Sequence, residues 1–497
     1  MSLSQQRVAY GWLVPVLLLS FWLGVRSLDS DAIWLDEYFS IYDSGAGPYG
    51  PLTPAQIWTR VAERNPWHAP GFFIALSGWG RLVGYEPAPL RAFSLLLGVL
   101  TIATTYQLGR TLVSRRVGLY AAALLATSAF FIYYEHEIRM YTLIAFMTVA
   151  TLLVYFRLLR ARGRPHLLLW LAWFGCIVAV LYIHYLAAVP LVALGLYHLL
   201  FAPKNRRWWQ MTGVVVLGGL AFLPWGQNLL SGLGLAAEAE ALHNRALSTR
   251  RLLELMGTLF GNGTLLVVGF FAALALTYRR RGAPTVWFLA LVPLGLFVVF
   301  NRLAEIIPET RIRYLLSLWP LFALVVAVGL AQLRRWWPLP VVGLAIWAAL
   351  GLSSVNNPDF VSMLASAHYV FPLHEIDDVM RAEAFPGDAV IYVLSDDMAK
   401  ITYERQADYY TRWRGLSAIF VEPRAADAER ADMRAAVLGA LAGREYVWLA
   451  YVPADAPTAL SAFEAALAAQ WTLCETVVAT SDLRIDLYEF STSNCLR

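Results

Sequence analysis

Long apolar runs alternate with short basic segments over the first 355 residues, and this pattern predicts membrane-spanning helices. A helix needs about 20 apolar residues to cross the hydrocarbon core of a bilayer. Eleven segments come close to that length: 8–28, 88–109, 117–134, 139–157, 166–184, 185–201, 210–230, 252–277, 285–300, 314–333 and 339–355. The shorter apolar segment 68–84 is interrupted by Pro70 and glycines, so we expect it to lie in the membrane interface within a long first loop, 29–87.

Arginine residues concentrate in the connections that follow every second span, beginning with 110–116 and 157–164. Basic connections of this kind face the cytoplasm. With Arg7 inside, eleven spans predict a cytoplasmic N-terminus and an extracytoplasmic chain after residue 355. The connections 29–87 and 135–138 then share the outer face.

The pattern changes after residue 355, where charged residues become more frequent and strand patterns alternate with helical ones. Such alternation predicts a small α/β domain with a partly parallel sheet. We therefore divide the chain into a transmembrane module, 1–355, and an extracytoplasmic accessory domain, 356–497. Cys474 and Cys495 could form a disulfide there, because an oxidising compartment permits one. The predicted strands are 389–394, 418–421, 446–452, 474–479 and 485–490.

The composition agrees with a membrane protein. Of 497 residues, 59% are hydrophobic and only 15% are charged, which excludes a soluble globular protein of this length. The formal net charge of +4 gives no indication of a nucleic-acid partner. The lipid bilayer, as the inner (plasma) membrane of a cell, is the expected environment.

Two adjacent carboxylates, Asp36 and Glu37, directly follow the first apolar segment. An Asp at the centre of a membrane helix costs about 2.5–3.5 kcal/mol, and ionisable residues at membrane depth usually mark functional pathways. The pair could equally be solvated residues at the end of a helix, and its position alone does not decide between these explanations.

A second cluster, containing Glu135, Glu137, Arg139 and Tyr141, lies between two apolar spans. An interfacial aromatic belt with an internal salt bridge would explain its tyrosines. It explains less well why so many ionisable groups crowd one tight turn. Because the sides alternate, we expect this cluster to face the same compartment as Asp36.

Arg311, Arg313 and Tyr314 form a third candidate group in an outer connection. Arginines there run against the usual preference for the cytoplasmic side, and a phosphate group is a natural partner for a guanidinium fork. Snorkelling of Arg313 to lipid headgroups is the alternative explanation. His68 is a weaker candidate, because a histidine at a helix start is more often structural than catalytic.

Four motifs occur in a fixed order: Trp34 to Glu37, His68-x-Pro70, Glu137-x-Arg139-x-Tyr141 and Arg313-Tyr314. Together they resemble the motifs of the GT-C fold glycosyltransferases. The bacterial family-39-like group, which is similar to dolichyl-phosphate-mannose–protein mannosyltransferases and to the aminoarabinose transferases of lipid A, is the most similar branch. The resemblance covers residues 1 to about 355.

The resemblance implies a polytopic α-helical membrane protein with about 11 transmembrane helices and a C-terminal extracytoplasmic α/β domain. It also implies inverting transfer of a hexosyl or pentosyl group from a polyprenyl-phosphate donor to a lipid, glycan or protein acceptor. By motif position, Asp36 is the base and Glu37 orients it or binds sugar hydroxyls. No tightly bound cofactor is expected, and a divalent cation between the acidic loops is left open. The residues expected to bind substrate are His68, Glu135, Glu137, Arg139, Tyr141, Arg311, Arg313 and Tyr314.

Two alternatives share part of this pattern. A lipid-sugar flippase or transporter predicts ionisable residues near mid-membrane and internal repeats. The ionisable residues of this chain concentrate instead in the outer connections, which favours chemistry at the membrane surface. A ligase or polymerase of envelope polymers would use the same class of substrates.

Overall fold

A computed structural model gives the architecture of the chain. The structure describes residues 11–497 except for 27, 30–31, 233–247, 264–281, 305–308, 334–337, 365–371, 394–396, 422–434, 454–463, 466, 481–482, 491–494 and 496–497. Contacts divide the chain into two compact units. The bundle unit comprises Met1–Leu28 and Pro51–Ala367, and the sheet unit comprises Asp29–Gly50 and His368–Arg497.

The helices are numbered in chain order across both units. They are α1 (Leu13–Val25), α2 (Leu35–Ser44), α3 (Pro54–Arg64), α4 (Gly71–Val83), α5 (Pro87–Leu112), α6 (Arg115–Ala126), α7 (Ala129–Glu135), α8 (Tyr141–Arg160), α9 (Leu167–Ile183), α10 (Ala188–Phe201), α11 (Arg206–Phe222), α12 (Thr249–Phe260), α13 (Ala283–Ala304), α14 (Trp319–Gln332), α15 (Pro338–Val355), α16 (Pro358–Leu364), α17 (Leu373–Glu383) and α18 (Asp397–Arg414). A 3₁₀ helix, Glu309–Leu318, leads into α14.

The bundle unit confirms the predicted polytopic helical fold. Among the described residues, six helices are long and apolar enough to cross a membrane, or seven if α6 and α7 form one bent span. Further apolar helices, such as α1 and α9, are shorter. The chain is therefore a multi-pass membrane protein, and the number of eleven spans stays a prediction.

One predicted span, 252–277, is wrong as a single continuous helix. Helix α12 ends at Phe260, and the backbone then turns through Asn262 and Gly263, whose φ angles are 54° and 74°. Asn262 stabilises this turn, because its side chain donates to the backbone oxygens of Thr127 and Trp347. The second half of the predicted span, from residue 264, lies outside the described residues.

The predicted span 117–134 is broken rather than straight. Helices α6 and α7 meet at an angle of 65° between Ala126 and Ala129. The side chain of Asn262 accepts a hydrogen bond from the Ala129 amide at 3.0 Å, which satisfies one of the backbone donors exposed at the start of α7. The break therefore directs the end of α7, and with it Glu135, toward the other helices of the bundle.

The sheet unit contains a five-stranded sheet in the order β2-β1-β3-β5-β4. Strand β1 pairs in parallel with β2 and β3, whereas β5 pairs antiparallel with β3 and β4, so the predicted partly parallel sheet is confirmed. All five predicted strands are present: β1 (Ala389–Val393), β2 (Ser417–Val421), β3 (Tyr446–Tyr451), β4 (Trp471–Ala479) and β5 (Arg484–Phe490). The division of the chain at residue 355 stays a prediction, because the compact units are defined by contacts and not by independent folding.

One hydrophobic cluster of the sheet unit lies on one face of the sheet, where alternate side chains of the strands meet the helical residue Val437 and the adjoining Leu441. Cys474 and Cys495 form a disulfide with their Cα atoms 5.5 Å apart. The disulfide ties β4 to the end of the chain across a separation of 21 residues.

We expect removal of this disulfide to destabilise the sheet unit. Closing a loop of this length restricts the unfolded chain by about 3 kcal/mol. The double variant C474S/C495S should therefore unfold at a lower temperature than the unmodified protein in non-reducing buffer. A reducing agent should lower the unfolding temperature of the unmodified protein and leave the double variant unchanged. Equal unfolding temperatures without reductant would contradict the assignment.

Candidate active site

The turn between α7 and α8 holds buried ionisable residues of the bundle unit. Glu135 is the last residue of α7, and Tyr141 is the first residue of α8. The side chains of Glu137 and Arg139, between them, are only 5% exposed. Ser94 of α5 stabilises the turn, because its hydroxyl donates to the Glu137 carbonyl at 2.5 Å. The predicted cluster is therefore packed inside the bundle unit and is not a solvated surface turn.

Glu135 occupies a space that two glycines leave open. A Cβ atom on Gly98 of α5 would lie 2.1 Å from Glu135 Oε1, and one on Gly24 of α1 would lie 3.3 Å from Oε2. Neither carboxylate oxygen has a hydrogen-bond partner among the described residues. The side chain thus packs against the backbones of α1 and α5, and its predicted role in donor binding stays a prediction.

Tyr141 lies at the centre of the cationic part of the site. The guanidinium carbon of Arg139 is 5.9 Å from the centre of the Tyr141 ring, and that of Arg313 is 5.7 Å from it. Both distances are within the range of cation–π contacts. Arg139 and Arg313 are 174 positions apart in the sequence. They therefore converge on the ring of Tyr141 from distant parts of the chain.

A row of aromatic rings connects this group to the first loop. The Tyr314 ring lies 6.4 Å from Tyr141 and 5.4 Å from His184, and His184 lies 5.6 Å from His68. The backbone of His68 is held in place, because its carbonyl accepts a hydrogen bond from the Tyr185 hydroxyl at 3.3 Å. The structure therefore brings His68, Tyr141 and Tyr314 into one row, and their role in substrate binding stays a prediction.

A small pocket opens beside this row. The residues around it are Tyr141, Ile144, Leu186, Arg313, Tyr314 and Ser317. The pocket combines a guanidinium group and two phenol rings with aliphatic side chains, which suits a ligand with both an anionic and an apolar part. The side chain of Arg311, also predicted to bind the donor, lies outside the described residues.

The remaining predicted residues, Asp36 and Glu37, belong to the sheet unit. Helix α2 begins after Trp34, whose amide donates to Glu37 Oε2 at 3.2 Å. This is the reciprocal half of a capping box, in which the third residue of a helix satisfies the amide before it. Glu37 is 1% exposed, whereas Asp36 on the same turn is partly exposed. The two acids thus differ: Glu37 is buried and caps the start of the helix, whereas Asp36 is partly exposed.

The segment before α2 is also held from within the sheet unit. His374 of α17 bonds the Asp29 carbonyl through Nε2 at 2.6 Å, and its Nδ1 lies 3.2 Å from a carboxylate oxygen of Asp378. Burial lowers the pKa of His374, but its bond to Asp29 and the negative charge of Asp378 together raise the pKa above its usual value of 6.5. His374 therefore anchors the segment before α2 within the sheet unit.

Neither Ser94 nor His374 is predicted as a site residue, because no local signal in the sequence marks them. Ser94 is one hydroxyl inside an apolar helix, and its contact spans 43 residues. His374 reaches a carbonyl 345 residues away. Both contacts arise only when distant segments pack together.

Comparison with known proteins supports the same fold. Residues 67–227 match the model of the family described as dolichyl-phosphate-mannose-protein mannosyltransferase. This match includes His68, His184 and the α7–α8 turn. No protein among the curated sequences matches the chain.

Two crystal structures of ArnT from Cupriavidus metallidurans resemble the whole chain. The apo structure has a TM-score of 0.57 at 14% identity and covers 97% of this chain and 98% of that one. The structure bound to undecaprenyl phosphate has a TM-score of 0.56 at 14% identity and covers 96% of this chain and 98% of that one. The likeness confirms the predicted fold, that of the GT-C glycosyltransferases.

We expect Gly98→Ala to destabilise the protein, because the added methyl group would overlap the Glu135 carboxylate. Overpacking of this kind typically costs about 1–3 kcal/mol. Gly195→Ala is a matched control, since a Cβ atom there meets nothing within 4 Å. In detergent, Gly98→Ala should have a lower unfolding temperature than the unmodified protein, and Gly195→Ala should have the same one. The double variant G98A/E135A should recover part of the decrease. A fully stable Gly98→Ala protein would contradict the packing.

The raised pKa of His374 predicts a pH-dependent contribution to stability. A histidine whose pKa is higher in the folded state stabilises the protein below about pH 6.5, and the contribution is lost as the pH rises through the folded-state value. The difference in unfolding temperature between the unmodified protein and His374→Ala should therefore be largest at pH 5.5 and shrink by pH 9. A difference that grows toward alkaline pH would rule out this role.

Proposed function

We propose that the protein is an integral-membrane glycosyltransferase that transfers a sugar from a polyprenyl-phosphate donor to an acceptor on the extracytoplasmic face, with inversion at the anomeric carbon. The observation that carries this proposal is the convergence of Arg139 and Arg313 on Tyr141. Two like charges near one ring repel each other, and a bound anion between them would offset that repulsion.

A lipid phosphate fits this pair of arginines better than a soluble anion does. Guanidinium groups bind phosphate oxygens through paired hydrogen bonds. The adjoining pocket is also lined by Ile144 and Leu186, which can contact an apolar chain. The ArnT structure with undecaprenyl phosphate, a lipid phosphate, has the same fold. This likeness supports a polyprenyl phosphate as the carrier of the donor sugar.

In the proposed reaction, Asp36 takes the proton of the acceptor hydroxyl as the acceptor oxygen attacks the anomeric carbon. The bond between that carbon and the phosphate oxygen breaks, and the lipid phosphate leaves with its negative charge. Arg139 and Arg313 stabilise the charge as it develops. A single displacement of this kind inverts the anomeric configuration. Glu37 keeps Asp36 in place by capping α2.

The sequence pattern and the disulfide support the proposed orientation. Basic connections favour a cytoplasmic N-terminus and an extracytoplasmic sheet unit. The Cys474–Cys495 disulfide supports an extracytoplasmic sheet unit, because disulfides persist mainly in oxidising compartments. The inner membrane of a cell is the proposed location, and a lipid, glycan or protein is the proposed acceptor.

The described acids give little support to a resident metal ion. A divalent cation needs several free oxygen ligands. The carboxylate oxygens of Glu135 pack against Gly98 and Gly24, and Glu37 caps a helix. Among the described residues, one group of three potential ligands occurs, and it contains Cys474 and Cys495, which form a disulfide. We therefore propose a reaction without a tightly bound cofactor.

Asp36→Asn should remove nearly all transfer, because an amide has the shape of a carboxylate but cannot take the proton. General-base catalysis contributes about 10²–10⁴-fold, and the loss should appear in kcat. Glu37→Gln keeps an oxygen that can accept from the Trp34 amide, so it should retain most activity. The assay measures undecaprenyl phosphate released from a panel of undecaprenyl-phosphate-linked hexoses and pentoses by the purified protein with membrane acceptors.

Two results would contradict this assignment. Failure of the unmodified protein to release undecaprenyl phosphate from any member of the panel would argue against the proposed function. An Asp36→Asn protein as active as the unmodified one would leave the function standing but remove Asp36 as the base.

Arg313→Ala should weaken binding of undecaprenyl phosphate by about 10- to 100-fold, which is the usual effect of losing a hydrogen bond to a charged group. Arg313→Lys should weaken binding by an intermediate factor, because lysine keeps the positive charge but cannot form the paired hydrogen bonds of a guanidinium group. Arg302→Ala is the control, since Arg302 lies exposed at the end of α13. Equal affinities in Arg313→Ala and Arg302→Ala would place the phosphate elsewhere.

A further inference from the structure

Both backbone hydrogen-bonding groups of Ile33 are bound by side chains of α18. The Ile33 amide donates to the Tyr410 hydroxyl at 2.9 Å. The Ile33 carbonyl accepts from Gln406 Nε2 at 2.8 Å. Ile33 lies three residues before Asp36 and next to Trp34, the cap of α2. These two bonds therefore fix the backbone at the entrance to the acid-bearing helix.

The two side chains are arranged for this contact. Gln406 and Tyr410 are four residues apart in a helix, so they lie on one face. Both are buried, at 6% and 8% exposure, and Ile33 is 1% exposed. Water cannot readily replace the two bonds at such a site, so losing either leaves an Ile33 backbone group unsatisfied.

The same helix holds the rest of the acid-bearing segment. Asp408 accepts from the Tyr49 hydroxyl at 3.1 Å, and the Arg405 guanidinium lies 5.2 Å from the Phe39 ring. Phe39 belongs to α2, and Tyr49 follows it. One helix of the C-terminal sheet unit thus contacts the first-loop segment before, within and after α2.

We infer that Gln406 and Tyr410 are positioning residues for the Asp36 carboxylate, so that the C-terminal domain supplies the frame that holds the catalytic base. The inference rests on the proposed function of Asp36. It gives the domain a part in the chemical step although it contributes no group that touches the substrate. Small displacements of a reacting group reduce rates steeply, by up to about 10²-fold for 1 Å.

Three variants test the inference in the full-length protein. Tyr410→Phe removes one hydroxyl and keeps the ring, and Gln406→Met removes the amide and keeps the length. Thr411→Val is the control, because it deletes a buried hydroxyl of the same helix whose bonds, to Ala407 and Asp408, stay within α18. We expect Tyr410→Phe and Gln406→Met to lower kcat about 10-fold or more while KM for the donor changes less than twofold. Thr411→Val should leave both constants within twofold.

Combining each change with Asp36→Asn distinguishes a positioning role of Gln406 and Tyr410 from a merely structural one. If the two residues act through Asp36, Tyr410→Phe should not further lower the residual rate of Asp36→Asn. Additive losses, or losses in KM alone, would overturn the inference. Equal kcat values in Tyr410→Phe and Thr411→Val would overturn it as well.

Hydrogen–deuterium exchange provides a readout that does not depend on the donor. Exchange at the amides of residues 33–38 should rise severalfold in Tyr410→Phe and Gln406→Met, and stay unchanged in Thr411→Val. Unchanged exchange in all three would overturn the inference even if the protein is an active transferase. If exchange rises but the protein processes no polyprenyl-phosphate sugar, Gln406 and Tyr410 do hold the segment around Ile33, and the proposed function is wrong.

Discussion

The candidate site depends on the burial of charged side chains at the end of an apolar helix bundle. Removing a charge from water costs several kcal/mol unless nearby groups compensate for the loss of hydration. Glu137 and Arg139 are both buried, and the turn that carries them is bonded to Ser94 of α5. Buried charged side chains such as Glu137 and Arg139 need compensating groups at fixed positions. Their burial therefore requires a rigid site.

The proposed reaction, in which a lipid phosphate is the leaving group, requires a rigid site. Stabilisation of a developing charge is strongest when the cations are held in place before the reaction. Tyr141 contacts both Arg139 and Arg313, so one ring helps to hold two cations from distant parts of the chain. In the sheet unit, α18 orders the segment that carries Asp36. Arg139 lies in the turn between α7 and α8, Arg313 lies in the 3₁₀ helix, and Asp36 lies in α2.

Local patterns in the sequence predicted most of the elements. The five strands of the sheet unit were identified because their apolar runs are short and bounded by turn residues. The ionisable clusters were identified because charges are rare in this chain. The break between α6 and α7 was not predicted, since it depends on Asn262, which lies 133 positions from Ala129. The contact between Ile33 and Tyr410 spans 377 positions and likewise leaves no local signal.

A cryo-EM map of the protein with bound undecaprenyl phosphate would test the proposed donor site most directly. We expect phosphate density within hydrogen-bonding distance of the guanidinium groups of Arg139 and Arg313, with the first prenyl units beside Ile144 and Leu186. Phosphate density away from both arginines would contradict the proposal that Arg139 and Arg313, which converge on Tyr141, form the donor site.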